Sequence, residues 1–329
     1  MENKKHGIDA GAAGALNIQL APLAGISDAP FRLICFSMGA SRCTTEMISA
    51  QGYLTAPKKS IGYKHLLAKF KGEGELYAQL FGKDPVFFAR AAKNLEALGR
   101  FDGININMGC PAHKVVGSGS GSALMRDIKL AASIVAAVKK AVKLPVSVKM
   151  RLGWDSDISV PFAKMLEQEG ADEIILHGRT KTMQFSGRVN LEAIGNVVQS
   201  VKVPVIANGD IFTLKDFRDT IIETHCAGVM VGRGALGNPF IFKEISSFIK
   251  GENYAAPDLR ERVNLALYHA KMLAKWKGED RAVLEMRKHF AWYIKGERGA
   301  SQFRREINTL NSLQEVEKAF NLFIEGEGK

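Results

Sequence analysis

Cys110 stands between Gly109 and Pro111, just past an apolar run at 103–108. A rigid turn at a strand end would aim the thiol into open space. A thiol with a pKa near the free value of ~8.5 is mostly protonated at neutral pH and can donate a proton. The plainer use of a single cysteine is as a small buried apolar group. Lys149 lies inside an otherwise apolar run at 145–150. A charge there must find a partner, either a carboxylate in a structural ion pair or an electron-rich cofactor ring. Gln79 carries the amide donor and acceptor that suit the polar edge of such a ring. Asn208-Gly209-Asp210 and Gly232-Arg233-Gly234 place glycines after apolar runs. Glycine lets backbone N–H groups approach an anion and Arg233 adds a matching charge, so the two sets read as a phosphate site, with simple tight turns as the alternative.

These residues need elements to hold them. Strand-like runs occur at 17–23, 42–47, 76–81, 103–108, 145–150, 173–177, 204–208 and 228–231. Several are continuously aliphatic, as parallel strands buried on both faces are. Helix signals separate them: Ser27, Asp28 and Pro30 open one helix, Asp84-Pro85 another, and Thr213 a third. Eight strands alternating with helices predict a (β/α)8 TIM barrel, in which working residues gather at the C-terminal strand ends. The segment after the first strand, Ala21-Pro22-Leu23-Ala24-Gly25, lacks the glycine fingerprint of an open doubly wound sheet. From Asp258 onward only helical periodicity is present. The expected organisation is an N-terminal extension at 1–16, a barrel at 17–250 and a small helical domain at 251–329.

The 329 residues, 46% hydrophobic and 24% charged, suit one large domain and a smaller unit. No apolar run is long enough for a membrane span, and the segment Met1 to Asn17 lacks the apolar stretch of a signal peptide. Cys35, Cys43, Cys110 and Cys226 are scattered, without metal-ligand or redox spacing, so no metal and a reduced, cytoplasmic setting are expected. The net charge of +11 predicts a polyanionic partner, nucleic acid before membrane. It concentrates between Lys271 and Arg305, where Arg287 and Lys288 are the candidate RNA contacts. Trp276, His289, Phe290, Trp292, Tyr293 and Phe303 are interleaved there, a mixture that both a packed core and an RNA surface use.

Taken together, Leu20-Ala-Pro-Leu-Ala-Gly-Ile-Ser-Asp-Ala-Pro-Phe-Arg32, Asn107-Met-Gly-Cys-Pro111, Val148-Lys-Met-Arg151, Leu176-His-Gly-Arg-Thr180, Ala207-Asn-Gly-Asp210 and Val231-Gly-Arg-Gly-Ala235 resemble the segments of bacterial tRNA-dihydrouridine synthases. The similarity runs from about His6 to the C-terminus. The resemblance implies an FMN-binding barrel in which Pro22, Leu23 and Ala24 line the ring, Gln79 and Lys149 meet its polar edge, and His177 lies nearby. It further implies that Asn208, Gly209, Asp210, Gly232 and Arg233 hold the phosphate and that Cys110 is the acid. The reaction implied takes electrons from NADPH (or NADH), passes a hydride to C6 of a uracil and protonates C5. The partner implied is tRNA, bound in part by the tail, with no obligate protein partner. The stretch from Phe185 to Leu191 departs from the usual family pattern, and Gly117–Ser122 is a low-complexity loop read as flexible and able to meet RNA. Two other functions are consistent with a basic barrel protein: an FMN reductase of a free small molecule, and an inactive RNA-binding or regulatory barrel.

Overall fold

Each expected barrel run forms a strand in the computed structural model, which describes residues 16–56 and 60–327. The N-terminal extension therefore lies, except for residue 16, outside the described residues. The strands are β1 (Asn17–Leu20), β2 (Arg42–Thr44), β3 (Ile48–Ser49), β4 (Glu75–Phe81), β5 (Gly103–Met108), β6 (Val146–Arg151), β7 (Glu173–His177), β8 (Val205–Asn208) and β9 (Gly228–Val231). All pairings are parallel. Among the described residues β1, β2 and β4 to β9 form a closed ring of eight, sealed where β1 pairs with both β2 and β9. β3 is a two-residue addition on the end of β4. The expected run at 42–47 breaks at Thr45, whose hydroxyl, not its backbone, accepts the Gln79 N–H (3.0 Å). The fold is thus a TIM barrel followed by C-terminal helices.

The caps fall where the sequence puts them. Asp28 accepts the Phe31 N–H ahead of the helix Ala29–Ser37, and Asp84 caps Pro85–Glu96. Thr213 and Asp216 close a reciprocal capping box on Leu214–Thr224. Each satisfies N–H groups that a helix start leaves open, at about 1 kcal/mol per cap.

Alternation along each strand sends every second side chain into the barrel. The N-terminal end is plugged by charge: Arg42 donates to both Glu173 oxygens at 2.8 Å, Gln19 adds contacts at 3.3 Å, and the guanidinium lies 4.2 Å from the Tyr77 ring centre. Burial raises the Glu173 pKa, and Arg42 opposes the rise. Ala21, Ile175, Ile206 and Met230 form an apolar cluster. The C-terminal end is polar and open.

The contacts divide the chain into two compact units between Gly232 and Arg233. The helix Phe240–Lys250, expected with the barrel, falls in the second unit, where the backbone of Gly237 lies against that of Trp292. The second unit continues with helices Leu259–Lys277, Glu279–Tyr293, Ala300–Ile307 and Leu313–Glu327. Its core takes Phe290, Tyr293, Phe303 and Phe320, with the Phe320 ring 5.4 Å from Phe290 and 4.7 Å from Phe303. Those aromatics are therefore packing groups, not stacking platforms.

Two buried histidines sit in this core. His289 meets His269 edge-on at 4.8 Å and Trp292 at 5.1 Å. Burial pushes the His289 pKa well below its ordinary 6.5, and His269, Lys288 and Lys277 push it the same way. The unfolded chain then binds the extra proton first, so this contribution to stability is full above pH 6.5 and is lost as pH falls below it. Thermal melts should show a loss of up to about 1.4 kcal/mol per pH unit on acidification. His289→Leu should flatten that dependence; an unchanged slope would place the acid sensitivity elsewhere.

Candidate functional site

The register of β4, β5 and β6 puts Gln79, Asn105 and Ser147 side by side. Their side chains form one hydrogen-bonded row. Gln79 Nε2 donates to Asn105 Oδ1 (2.7 Å), and Asn105 Nδ2 donates to Ser147 Oγ (2.7 Å). All three are fully buried. One turn of the pleat nearer the opening, Asn107 Nδ2 donates to Gln79 Oε1 (2.9 Å). The row fixes which way the Gln79 amide faces while leaving it a second N–H and a second lone pair.

Asn107 also builds the cysteine turn. Its Oδ1 accepts the N–H of Gly109 (3.2 Å) and of Cys110 (2.9 Å). The Cys110 carbonyl accepts from the backbone N–H (3.1 Å) and hydroxyl (2.9 Å) of Ser122. Gly121 packs beneath it at φ +62°, and a Cβ there would lie 2.8 Å from the Cys110 carbonyl oxygen. The end of the Gly117–Ser122 run is therefore a fitted support for the cysteine, not a loose loop. From the other side Arg151 Nε donates to the Gly109 carbonyl (2.9 Å), and its Nη1 donates to the Thr180 and Gln184 carbonyls (both 2.9 Å). Cys110 itself is half-buried and reduced.

Lys149 resolves differently from a structural ion pair. Nζ donates to Asn208 Oδ1 across the barrel (2.7 Å), and among the described residues no carboxylate pairs with it. Asn208 is held in turn by donating Nδ2 to the Met230 carbonyl (2.7 Å). Burial lowers the Lys149 pKa to about 7, with Arg151 acting in the same direction and Cys110 opposing. After β8, Gly209 takes φ +117°; a Cβ there would meet Val189 at 2.7 Å and the His177 ring at 3.3 Å. The Asp210 carboxylate does not face an anion: Arg179 holds it bidentately, with Nη1 at 2.9 Å from Oδ1 and Nη2 on Oδ2. Arg179 is itself buried and also donates to the Ser186 (3.0 Å) and Gly187 (2.6 Å) carbonyls.

Pro22, Leu23 and Ala24 form the turn beyond β1, closed by Leu23 N–H donating to Ser27 Oγ (2.8 Å) and Gly25 N–H donating to the Glu46 carboxylate. Gly232 follows β9 beside Ala21, and Arg233 begins the short 3-10 helix Arg233–Ala235 that opens the second unit. His177 closes β7, with Phe185 edge-on at 6.4 Å. Cys110, Gln79, Lys149, His177 and Asn208 thus share one open end.

In the second unit Arg287, Lys288 and Arg304 line a groove of about 560 Å³ with Leu284, Ala291 and Asn308. Glu285, the acid of that groove, is occupied by Lys277 (2.7 Å) and Arg281 (2.6 Å). Asn105 and Ser147 belong to the first of these sites without having been singled out in the sequence, whereas Arg151, Arg179 and Arg304 stood in the strand-end motifs and the basic segment without an assigned role. The alternation Asn105-Ile-Asn107, polar every second residue in a buried strand, is the signal that marks the first.

The donors suit a flat heterocycle with a phosphate tail. Lys149 supplies a cation and Gln79 an oriented amide edge. At Gly209, Val189 and the His177 ring leave no room for a side chain, so the turn is bare backbone. A carboxylate turned toward Arg179 removes the repulsion an anion would meet at Asp210.

The model of the dihydrouridine synthase family matches residues 19–325. A probable tRNA-dihydrouridine synthase of Rickettsia bellii (strain RML369-C) is 39% identical over 298 residues, which cover 90% of this chain and 90% of that one. tRNA-dihydrouridine synthase B of Pseudomonas aeruginosa is 40% identical over 295 residues, 88% of this chain and 87% of that one. Among solved structures, histamine dehydrogenase from Rhizobium sp. 4-9 matches with a TM-score of 0.55 at 12% identity, over 78% of this chain and 48% of that one. That likeness is one of fold.

The lowered Lys149 pKa gives this site a pH signature. Were a flavin ring to bind against Nζ it would draw the proton back, so binding above pH 7 would carry proton uptake. Flavin affinity should hold below about pH 7 and fall by up to about tenfold per pH unit above it. Fluorescence titration of flavin checks this. Lys149→Gln should bind more weakly at low pH and lose the decline; a profile parallel to the parent's would assign the titration to another group.

Proposed function

The chain belongs to the dihydrouridine synthase family, and from that premise we propose that it reduces the C5–C6 double bond of specific uridines in tRNA to 5,6-dihydrouridine, with FMN as cofactor, NADPH (or NADH) as reductant and Cys110 as proton donor. The observation that carries the reading is the convergence of a doubly braced Cys110 with Gln79, Lys149 and Asn208 at one end of the barrel. FMN, when bound, would supply the hydride that C6 of the uracil receives from the reductant's electrons.

The chain's own residues do the rest. Gln79 and Lys149 orient the ring through its polar edge, and the Lys149 ammonium stabilises negative charge there. Pro22, Leu23 and Ala24 would line the ring. The backbone at Gly209, Asp210 and Gly232 and the charge of Arg233 hold the phosphate, Asp210 by its backbone since its carboxylate is engaged. Cys110 delivers a proton to C5 from a thiol whose position Asn107, Ser122 and Arg151 fix. A base stacked in RNA cannot reach these groups, so the uridine enters unstacked. Phe185, half exposed beside His177 and 5.6 Å from the Arg151 guanidinium, is placed to meet it. Arg287, Lys288 and Arg304 engage the RNA backbone in their groove. A tRNA substrate and a nicotinamide reductant place the reaction in the cytoplasm.

The purified protein should be yellow and release FMN on denaturation; FAD alone, or no flavin after reconstitution, would overturn the cofactor assignment. In Cys110→Ala, flavin content and flavin reduction by NADPH should persist while tRNA reduction falls by about 10²-fold or more. Dihydrouridine formation by Cys110→Ala at the parent rate would remove the acid role. Replacing Arg287 and Lys288 together by Gln should weaken tRNA binding and lower the slope of log affinity against log salt by roughly 0.7–0.9 per lost contact. An unchanged slope would move the RNA contact out of the groove.

A further inference from the structure

Three loops at the open end of the barrel meet in a cluster that the chemistry above does not use. Arg126 comes from the connection after β5, Trp154 from the loop after β6, and Lys181 from the loop after β7. The Arg126 guanidinium lies 5.0 Å and the Lys181 ammonium 4.3 Å from the centre of the Trp154 ring. Trp154 and Lys181 are half-buried and Arg126 is exposed. Two backbone bonds lock the ring's loop to its neighbour: Lys181 N–H donates to the Gly153 carbonyl (2.9 Å), and Thr182 N–H to the Trp154 carbonyl (2.9 Å).

A cation over an indole is a favourable contact, worth roughly 0.5–1 kcal/mol at exposed sites. Two cations over one indole also repel. They lie no farther apart than the sum of the two distances above, comparable with the ~8 Å over which charges interact at physiological salt. Carboxylates are close at hand in the chain, and each makes a local hydrogen bond rather than an ion pair with the cluster. Asp127 caps the helix Ile128–Ala141 (3.0 Å to Leu130 N), Asp157 accepts the Ser159 N–H (2.8 Å), and Asp155 accepts the Ser156 hydroxyl (3.2 Å). Among the described residues neither Arg126 nor Lys181 makes an ion pair. The cluster therefore holds two cations over one ring with no paired carboxylate, and an anion bound to both would relieve their mutual repulsion.

The same elements carry the acid. The 3-10 helix Gly121–Arg126 supports the Cys110 carbonyl with its first residues and ends in Arg126. The end of β6 sends Arg151 to the Gly109 carbonyl and leads directly into Trp154. Whatever binds the cluster is thereby held in register with Cys110.

We infer that Arg126, Trp154 and Lys181 form a second RNA contact, which grips the phosphodiester backbone of the single-stranded segment carrying the target uridine and sets that segment beside Cys110. The inference rests on the tRNA-reductase reading above. Arg126 and Lys181 contact phosphate, and Trp154 fixes the spacing between them. The tail groove anchors the body of the RNA, and this platform positions the strand that reacts.

The test uses the full chain loaded with flavin. With tRNA as the varied substrate, Arg126→Gln/Lys181→Gln should raise KM about tenfold or more with little change in kcat, while flavin absorbance per chain reports an intact barrel. In direct binding of unmodified tRNA, the salt slope should shrink by about 1.4, the value for two lost contacts to a single strand. Trp154→Leu, which keeps both charges but frees them, should raise KM less and leave most of the slope. A double variant with unchanged KM and salt slope overturns the inference, as does one that melts earlier but binds tRNA like the parent, since the cluster would then only clamp loops together. Arg126→Gln alone, at the exposed member of the cluster, reports the same slope change at half size should the double variant fail to fold. If the parent binds tRNA but never reduces it, the reductase reading fails; the salt slopes still decide whether the platform binds RNA.

Discussion

A closed parallel barrel leaves its inward-facing polar side chains no water to bind, so they must satisfy one another. An unpaired buried amide costs about 1–3 kcal/mol, and Gln79, Asn105, Asn107 and Ser147 are all inward and buried. Strand register decides which of them meet: pairing Gln79 with Asn105 and Asn105 with Ser147 turns a liability into a single oriented row. Asn107 extends that row outward and uses its remaining oxygen to hold the Cys110 turn. The position of the reactive thiol is therefore set by the same bonds that make the barrel interior tolerable.

Buried arginines extend this rigidity to loops that would otherwise be mobile. Arg151 ties the cysteine turn to the loop after β7, and Arg179 ties that loop to Asp210 after β8. Removing Asp210 would leave the buried Arg179 guanidinium without its carboxylate, so the pair ties the two loops together. Lys149 is the exception. It is desolvated, held by a neutral amide, and given no carboxylate. A cation kept in that state is poised for a ligand that brings negative charge.

Much of this was legible in the sequence. Continuous aliphatic runs marked the barrel strands, and capping residues marked the helices. Cys110 was marked by its neighbours Gly109 and Pro111. What was hidden depends on who meets whom across strands. Asn105 and Ser147 are ordinary polar residues until register pairs them, and Arg151 and Arg179 stand in strand-end motifs whose use in bracing carbonyls only burial shows. Trp154 shares a cluster with residues 28 and 27 positions away in sequence only because three loops converge. In the Gly117–Ser122 run composition suggested slack, but at Gly121 the Cys110 carbonyl and Val115 leave no room for a side chain. The helix Phe240–Lys250 was placed with the barrel because strand–helix alternation continues through it, while its packing assigns it to the second unit.

The chemistry assigned to Cys110 and its neighbours is tested most directly by mass spectrometry of a tRNA transcript incubated with the purified, FMN-loaded protein and NADPH. Specific uridines should become heavier by two hydrogens, with free uridine left unchanged under the same conditions. A transcript of unchanged mass, from protein whose flavin is bound and reduced, would contradict that assignment.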